Sequence, residues 1–253
     1  MLEAKNITKR FAGVTALKDV QLHLKAGKVT SIIGENGAGK STLMKILSGV
    51  HLDYEGDLYM DGEKVVFKNT RDAQDAGISI IHQELNLLPQ LTVVENIFLG
   101  REIKTLLGFL DEREMQRRAK VLLEKVQLRV DPNTKVKDLK VGEQQLLEIA
   151  KALLLDTKVL IMDEPTSAVS DSEAEILFNI IKELTKEGKA IAYISHKMNE
   201  IFTMCDDYVV LRDGQFIGAG PIQGVKEDDL IKMMAGREVK LHRHNEDVPR
   251  EQS

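Results

Sequence analysis

The chain has 253 residues, 43% of them hydrophobic and 30% charged, with a formal net charge of −5. This composition suits a globular chain of one large or two small domains, and its acidity argues against a nucleic-acid partner, which usually meets a basic surface. The single Cys205 excludes an internal disulfide framework and reads as a small semi-buried hydrophobe in a reducing compartment.

Met1 to Lys9 alternates weakly and reads as a strand, Arg10 to Val14 as a turn, and Val20 to Leu24 as a second strand. The N-terminus lacks a signal-peptide pattern. Phe11 is either an aromatic platform for a nucleotide base or a core residue. Val29 to Ile33 is an apolar run that reads as a buried strand, and Thr42 to Leu47 has a helical apolar face in Leu43, Ile46 and Leu47. Between them stands Gly34-Glu35-Asn36-Gly37-Ala38-Gly39-Lys40-Ser41, which fits the phosphate-loop pattern G-x-x-x-x-G-K-[ST] in its required strand–loop–helix setting. Glycines let successive N–H groups curl around phosphate oxygens, and the helix start adds its positive dipole end. Lys40 would meet the β- and γ-phosphates as a point charge, and the Ser41 hydroxyl would meet Mg2+.

Asp57 to Met60 and Lys64 to Phe67, joined at Asp61-Gly62, read as a hairpin. Gly77 to His82 reads as a buried strand that delivers Gln83-Glu84 at its carboxyl end, where ligands bind in open α/β sheets. Gln83 is a candidate to reach a metal or a water there, or else a surface polar residue. From about residue 85 to 155 the pattern turns helical. A short helix is expected over Thr92 to Leu99, and an amphipathic one over Asp111 to Gln127. The second has Met115, Ala119, Leu122, Leu123 and Val126 on one face and a solvated basic face at Arg117, Arg118 and Lys120. After Leu139-Lys140-Val141-Gly142-Glu143-Gln144-Gln145 comes a further helix, with Leu146, Ile149, Ala150, Leu153 and Leu154 apolar.

Val159 to Met162 reads as a central parallel strand ending in Asp163-Glu164. Asp163 suits magnesium, directly or through water, and Glu164 suits a general base or water-orienting group for phosphoryl transfer to water. Ser170 to Glu173 is a capping box opening a helix that stops near Gly188. The strand Ala190 to Ile194 then hands over Ser195-His196; His196 can hydrogen-bond a γ-phosphate, though a lone histidine is more often structural. Tyr208 to Ala219 reads as a hairpin about Asp213-Gly214, Asp228 to Ala235 as a short helix, and residues 239–253 as a polar tail or linker in which His242 and His244 lack further ligands for a metal.

This constellation resembles the ATP-binding cassette family over about Met1 to Glu238, because the phosphate loop (Gly34 to Thr42), Gln83, Leu139 to Gln144, Asp163-Glu164 and His196 occur in that family's order. The resemblance implies a P-loop NTPase (RecA-like) α/β core with a parallel sheet, an N-terminal antiparallel β subdomain and an inserted helical subdomain. Its cofactors would be ATP and Mg2+. It also implies roles: Phe11 stacks on adenine, Gln83 links the metal to the transmembrane partner, and His196 is the switch histidine. Leu139, Lys140, Val141, Gly142, Glu143 and Gln144 would form the signature that caps the γ-phosphate of the facing cassette.

Val94 to Gly100, Tyr193 to Met198 and Met233 to Glu238 are similar to the first cassette of ribose/galactose-type importers, in which two cassettes lie in tandem. The implied partners are a second cassette, in tandem or as a dimer, integral-membrane permease subunits and, indirectly, a binding protein. The implied place is the inner face of the cell membrane, on the cytoplasmic side; no nucleic acid is expected. The alternatives are a soluble cassette ATPase acting on nucleic acid or ribosomes, and a nucleotide-binding regulator without turnover. Two positions depart from the family pattern. Lys140 stands where the signature usually has Ser, and Ser170 where many cassettes carry an Asp that contacts the partner.

Overall fold

The computed structural model describes residues 1–236, built on one ten-stranded mixed sheet with helices on its faces. The expected tail, with His242 and His244, and the Arg237-Glu238 end of the resemblance lie outside the described residues. Strands β1 (Leu2–Phe11), β2 (Val14–Leu24), β4 (Glu55–Met60) and β5 (Glu63–Val65) pair antiparallel at one end of the sheet. Strands β3 (Val29–Ile33), β6 (Ile78–Ile81), β7 (Val159–Asp163) and β8 (Ala190–Ile194) run parallel at the other. Between them, β9 (Asp207–Arg212) and β10 (Gln215–Pro221) form a hairpin, with β9 parallel to β3. The order is β5-β4-β1-β2-β10-β9-β3-β8-β7-β6.

The parallel strands are mostly apolar, with only Thr30, Ser31, Ser79 and the terminal Asp163 polar, because both of their faces are covered, and the period of two divides each strand between two cores. Leu160, Met162, Ile191, Tyr193 and Ile33 face a core built with the helices that follow β6. Val159, Ile161, Ala190, Ala192 and Ile32 face another, shared with β1, β2 and helix α1 (Lys40–Leu47). Cys205 is buried in the first core, and burial pushes its thiol up to about 12, as expected of an inert hydrophobe.

Two strand boundaries and two short helices differ from the sequence reading. β2 begins at Val14 rather than Val20, since Ala12 and Gly13 turn the chain in two residues with φ of 39° and 91°. β5 ends at Val65, leaving Val66 exposed while Phe67 turns into the core; Asp61 and Gly62 take the left-handed pair (φ 52° and 86°) that a tight hairpin requires. Two short helices, α2 (Thr70–Asp75) and α7 (Met198–Met204), have too few turns to show a period, and the sequence reading lacks both.

Between β6 and β7 the chain is helical, as expected: α3 (Val93–Phe98), α4 (Glu112–Lys125) and α5 (Val141–Leu153) pack together. Thr92 and Asp111 cap the first two by accepting from Glu95 and Glu114 N–H groups. The basic face of α4 is solvated. Arg117 and Arg118 both donate to the Glu114 carboxylate at 2.7 Å and draw its pKa down to about 2. Helices α6 (Asp171–Lys186) and α8 (Glu227–Ala235) complete the set.

Candidate functional site

Strand register fixes the site. Ile81 pairs with Met162 and Asp163 with Ile194, so β6, β7 and β8 deliver Gln83, Asp163-Glu164 and His196 at one edge of the sheet. β3 ends beside them and releases Gly34 to Gly39 into α1. Two glycines are sterically required. A Cβ at Gly34 would stand 2.5 Å from the Leu211 carbonyl oxygen; one at Gly39, where φ is 100°, would stand 2.5 Å from Leu17 Cδ2.

Asn36, Gly37, Lys40, Ser41, Thr42, Gln83, Asp163 and Glu164 line a polar cleft of about 620 Å³. Lys40 Nζ donates to the carbonyls of Gly34 (2.7 Å) and Glu35 (3.0 Å), folding the ammonium back over the loop. Burial holds its pKa below the usual lysine value, against the pull of Glu164 and Asp163. Asp163 is held above its ordinary range, first by burial and then by repulsion from Glu164. Its neighbour Glu164 sits at φ 46°, in the left-handed region that a residue other than glycine seldom occupies. Such a conformation costs about 1–3 kcal/mol and persists where the surroundings over-determine it. Here the Glu164 N–H donates to the Ile194 carbonyl at 2.8 Å. Its carboxylate accepts from Gln83 Nε2 at 3.2 Å and meets His196 Nδ1 at 3.1 Å. Glu164 is thus aimed over the cleft by two other candidates.

His196 is positioned from beneath by a network absent from the sequence reading. Buried Glu200 in α7 accepts from Thr166 Oγ1 (2.7 Å), Tyr193 OH (2.8 Å) and Ser195 Oγ (3.0 Å), and pairs with Lys197 Nζ (3.1 Å). Burial works against its charge, but these bonds hold its pKa below the ordinary value. The partners of this acid are spread across β8, the turn into α7 and the loop after β7, so no local pattern reveals the network. Val14 to Ala16 and Asp213-Gly214 also line the cleft and were missed for the same reason.

Phe11 ends β1 and is 39% exposed, so it is no core residue. Its ring meets His51 edge-on at 5.2 Å between centroids, and Lys9 Nζ lies 4.6 Å from its centre. It does not line the phosphate-loop cleft; Val14 to Ala16 do.

The structure does not bring Leu139 to Gln144 to this cleft. Leu139 is buried, and Lys140 is the N-cap of α5. The Lys140 N–H donates to Glu143 at 2.8 Å, but the lysine side chain has no acceptor to return, so the box is half made. Gln144 Nε2 donates to the Leu139 carbonyl at 3.0 Å. A Cβ at Gly142 would fall 2.0 Å from Glu173 Oε1, so only glycine lets that carboxylate stand there. Glu173 in turn accepts from the Ser170 N–H (2.8 Å) and Oγ (2.7 Å), and the Lys140 charge adds to the depression of its pKa after these bonds. The two departures, Lys140 and Ser170, therefore meet at one acid. An aspartate at 170 would set a second carboxylate beside Glu173.

Comparison with known proteins shows the family and the fold. The chain is 51% identical over 242 residues to the ribose import ATP-binding protein RbsA of Caldanaerobacter subterraneus subsp. tengcongensis, covering 96% of this chain and 49% of that protein. It is 51% identical over 241 residues to the xylose import ATP-binding protein XylG of Histophilus somni, covering 94% and 48%. The chain thus spans about half the length of the curated relatives it matches. Among solved structures, a nucleotide-free ATP-binding cassette from an ABC transporter superposes with a TM-score of 0.80 at 29% identity, covering 94% of this chain and 95% of that one. An ATP-binding cassette of an ABC transporter in its ADP conformation gives 0.81 at 28%, covering 94% and 99%. The fold is therefore the ABC cassette form of the P-loop NTPases. The family described as ABC transporter matches residues 17–167, from β2 through the loop after Glu164. The chain belongs to the ABC transporter family.

Proposed function

We propose that this cassette binds ATP in the phosphate-loop cleft and hydrolyses it as the motor of a monosaccharide importer. The observation that carries the reading is Glu164, held at a left-handed φ between Gln83 and His196 and facing the Lys40 loop. In this reading the loop N–H groups and Lys40 bind the phosphates, and Lys40 exchanges its carbonyl partners at Gly34 and Glu35 for phosphate oxygens. Glu164 orients or deprotonates the attacking water, His196 holds Glu164 and reaches the γ-phosphate, and Phe11 carries the base.

Ser41, Asp163 and Gln83 offer the hard oxygen ligands that Mg2+ takes, and the ion when bound would offset phosphate charge. Among the described residues there is no group of three or more His, Cys, Asp or Glu side chains that could hold a metal. This suits an ion that draws most of its ligands from water and phosphate.

Gly142 and its flanking signature, residues 139–144, serve the cleft of a second cassette, which explains their distance from this chain's own cleft. Residues 1–238 act as one nucleotide-binding domain, with the helices of about 85–155 as its signature-bearing part. Integral-membrane permease subunits are the further partners, with a binding protein acting through them, and the cassette works on the cytoplasmic face of the membrane. No helix among the described residues is long and apolar enough to cross a membrane. The similarity to ribose and xylose import ATP-binding proteins supports a monosaccharide as the imported solute.

The test is Glu164→Gln. It should keep ATP affinity by calorimetry and lose phosphate release by about 10²–10⁴-fold, the usual contribution of a general base. Hydrolysis at the wild-type rate would refute the reading.

A further inference from the structure

A buried charge lies against the aromatic ring at the end of β1. Lys9 has a side chain only 5% exposed, whereas the carboxylate paired with it, on Asp53, is 85% exposed. The Lys9 ammonium donates to the Asp53 carbonyl at 2.6 Å and to its two carboxylate oxygens at 2.9 and 2.8 Å, so its three protons have three acceptors. In that position Nζ stands over the Phe11 ring, 4.6 Å from its centre. Taking an ammonium out of water is costly, and an apolar side chain of similar size would usually serve the fold as well. Stability alone therefore gives no reason for a charge at this place.

The segment that supplies Asp53 leaves α1, the helix that begins at Lys40. The N–H groups of Val50 and His51 both donate to the Lys45 carbonyl, at 2.8 and 2.9 Å, which fixes the exit of the chain from that helix. His51, from the same segment, meets the Phe11 ring edge-on. Burial, then the charges of Lys9 and Lys45, hold its imidazole below the usual histidine value, which keeps a second cation from the ring.

We infer that Lys9, pinned by Asp53, is a positioning residue for the nucleotide base: it covers one face of the Phe11 ring and leaves the other to stack on a purine. The cation draws π density toward itself, so the free face repels an electron-rich base less. Asp53 and His51 also tie the ring to α1, which carries Lys40 at its other end, so one helix spaces the base platform from the phosphate loop. This rests on the reading of Phe11 given above.

The test measures, on the full chain by calorimetry, the affinity for ATP and for inorganic tripolyphosphate, which can fill the phosphate loop but has no base. Phe11→Ala should weaken ATP roughly five- to hundredfold, the range of one base–aromatic stack. Lys9→Met should weaken it roughly three- to thirtyfold, the range of a cation–π contact. Neither change should alter tripolyphosphate binding. In the Phe11→Ala background, Lys9→Met should cost nothing further, since both act through one ring. Asp53→Asn, at an exposed position that leaves the buried packing intact, should also weaken ATP and spare tripolyphosphate. Should Lys9→Met weaken both probes alike, Lys9 would serve the fold only and the inference would be overturned. Unchanged ATP affinity in Lys9→Met and Asp53→Asn beside a loss in Phe11→Ala would also overturn it, with the platform still standing. Unchanged affinity in Phe11→Ala would remove the platform itself, and the inference with it.

Discussion

The two halves of the proposed nucleotide machinery are built in different ways. The half around Gly34 to Thr42, Asp163, Glu164 and His196 sits at the ends of buried parallel strands. Its spacing is set by ladder register, Asp163 against Ile194 and Ile81 against Met162, and by two apolar cores. The half at Lys140 to Gln144 is a helix start with an N-cap side chain that cannot accept a hydrogen bond, and a glycine that admits the chain's own Glu173. A site on strand ends is held by everything beneath it, so it can be complete within one chain. A site on a helix start is held by a few polar contacts and is completed by what docks on it.

Breaking the strand-end half should have the largest effect. Lys40→Ala removes the one ammonium that the loop folds over itself, at 2.7 Å from the Gly34 carbonyl. ATP affinity by calorimetry should fall by about two orders of magnitude or more, roughly 3 kcal/mol, the scale of a charge-assisted bond in a partly buried site. Equal affinity in wild type and variant would show that the phosphates bind elsewhere.

The claim that this half is held from beneath is sharpened by Tyr193→Phe. The change deletes a 2.8 Å bond to Glu200 and little else. Thermal unfolding should show a loss of about 1.5–3 kcal/mol, the range for a hydrogen bond to a charged group. A loss much below this would mean that the Glu200 network does not carry the Ser195-His196 turn.

A smaller effect of opposite sign is expected of Asp163→Asn. The folded Asp163 is held above its ordinary pKa, so between the unfolded and folded values the native state binds more protons. Wild-type stability therefore falls as pH rises through that window, and at pH 7 the full penalty is present. The asparagine variant escapes it and should be more stable than wild type at pH 7. The advantage should vanish as pH drops below the ordinary carboxylate range. A variant less stable than wild type at pH 7 would show that Asp163 is not strained in the fold.

The sequence was legible where a local pattern coincides with a physical cause. The apolar runs Val29–Ile33, Val159–Met162 and Ala190–Ile194 could only be doubly covered strands, and each carries its candidate residue at its end. The phosphate loop and the Ser170–Glu173 capping box are short-range arrangements, and both appear as read. What the sequence withheld is long-range. Glu200 gathers partners from three segments, Glu173 reaches Gly142 across 31 positions, and α2 and α7 are too short for any period to show. The left-handed φ of Glu164 follows from its N–H pairing with β8, and the local sequence carries no trace of it.

The smallest effect is expected at the helix-start half. Lys140→Ser supplies the missing N-cap acceptor and should stabilise α5 by about 0.5–2 kcal/mol. The change removes nothing that the cleft of this chain uses. The most direct test of the contrast sets this variant beside Glu164→Gln in one phosphate-release assay, with a partner cassette present. The strand-end account requires Glu164→Gln to fall by at least about 10²-fold while Lys140→Ser stays within a few-fold of wild type. If Lys140→Ser shifted turnover as strongly as Glu164→Gln lowered it, hydrolysis would depend equally on both halves, and the division between them would be wrong.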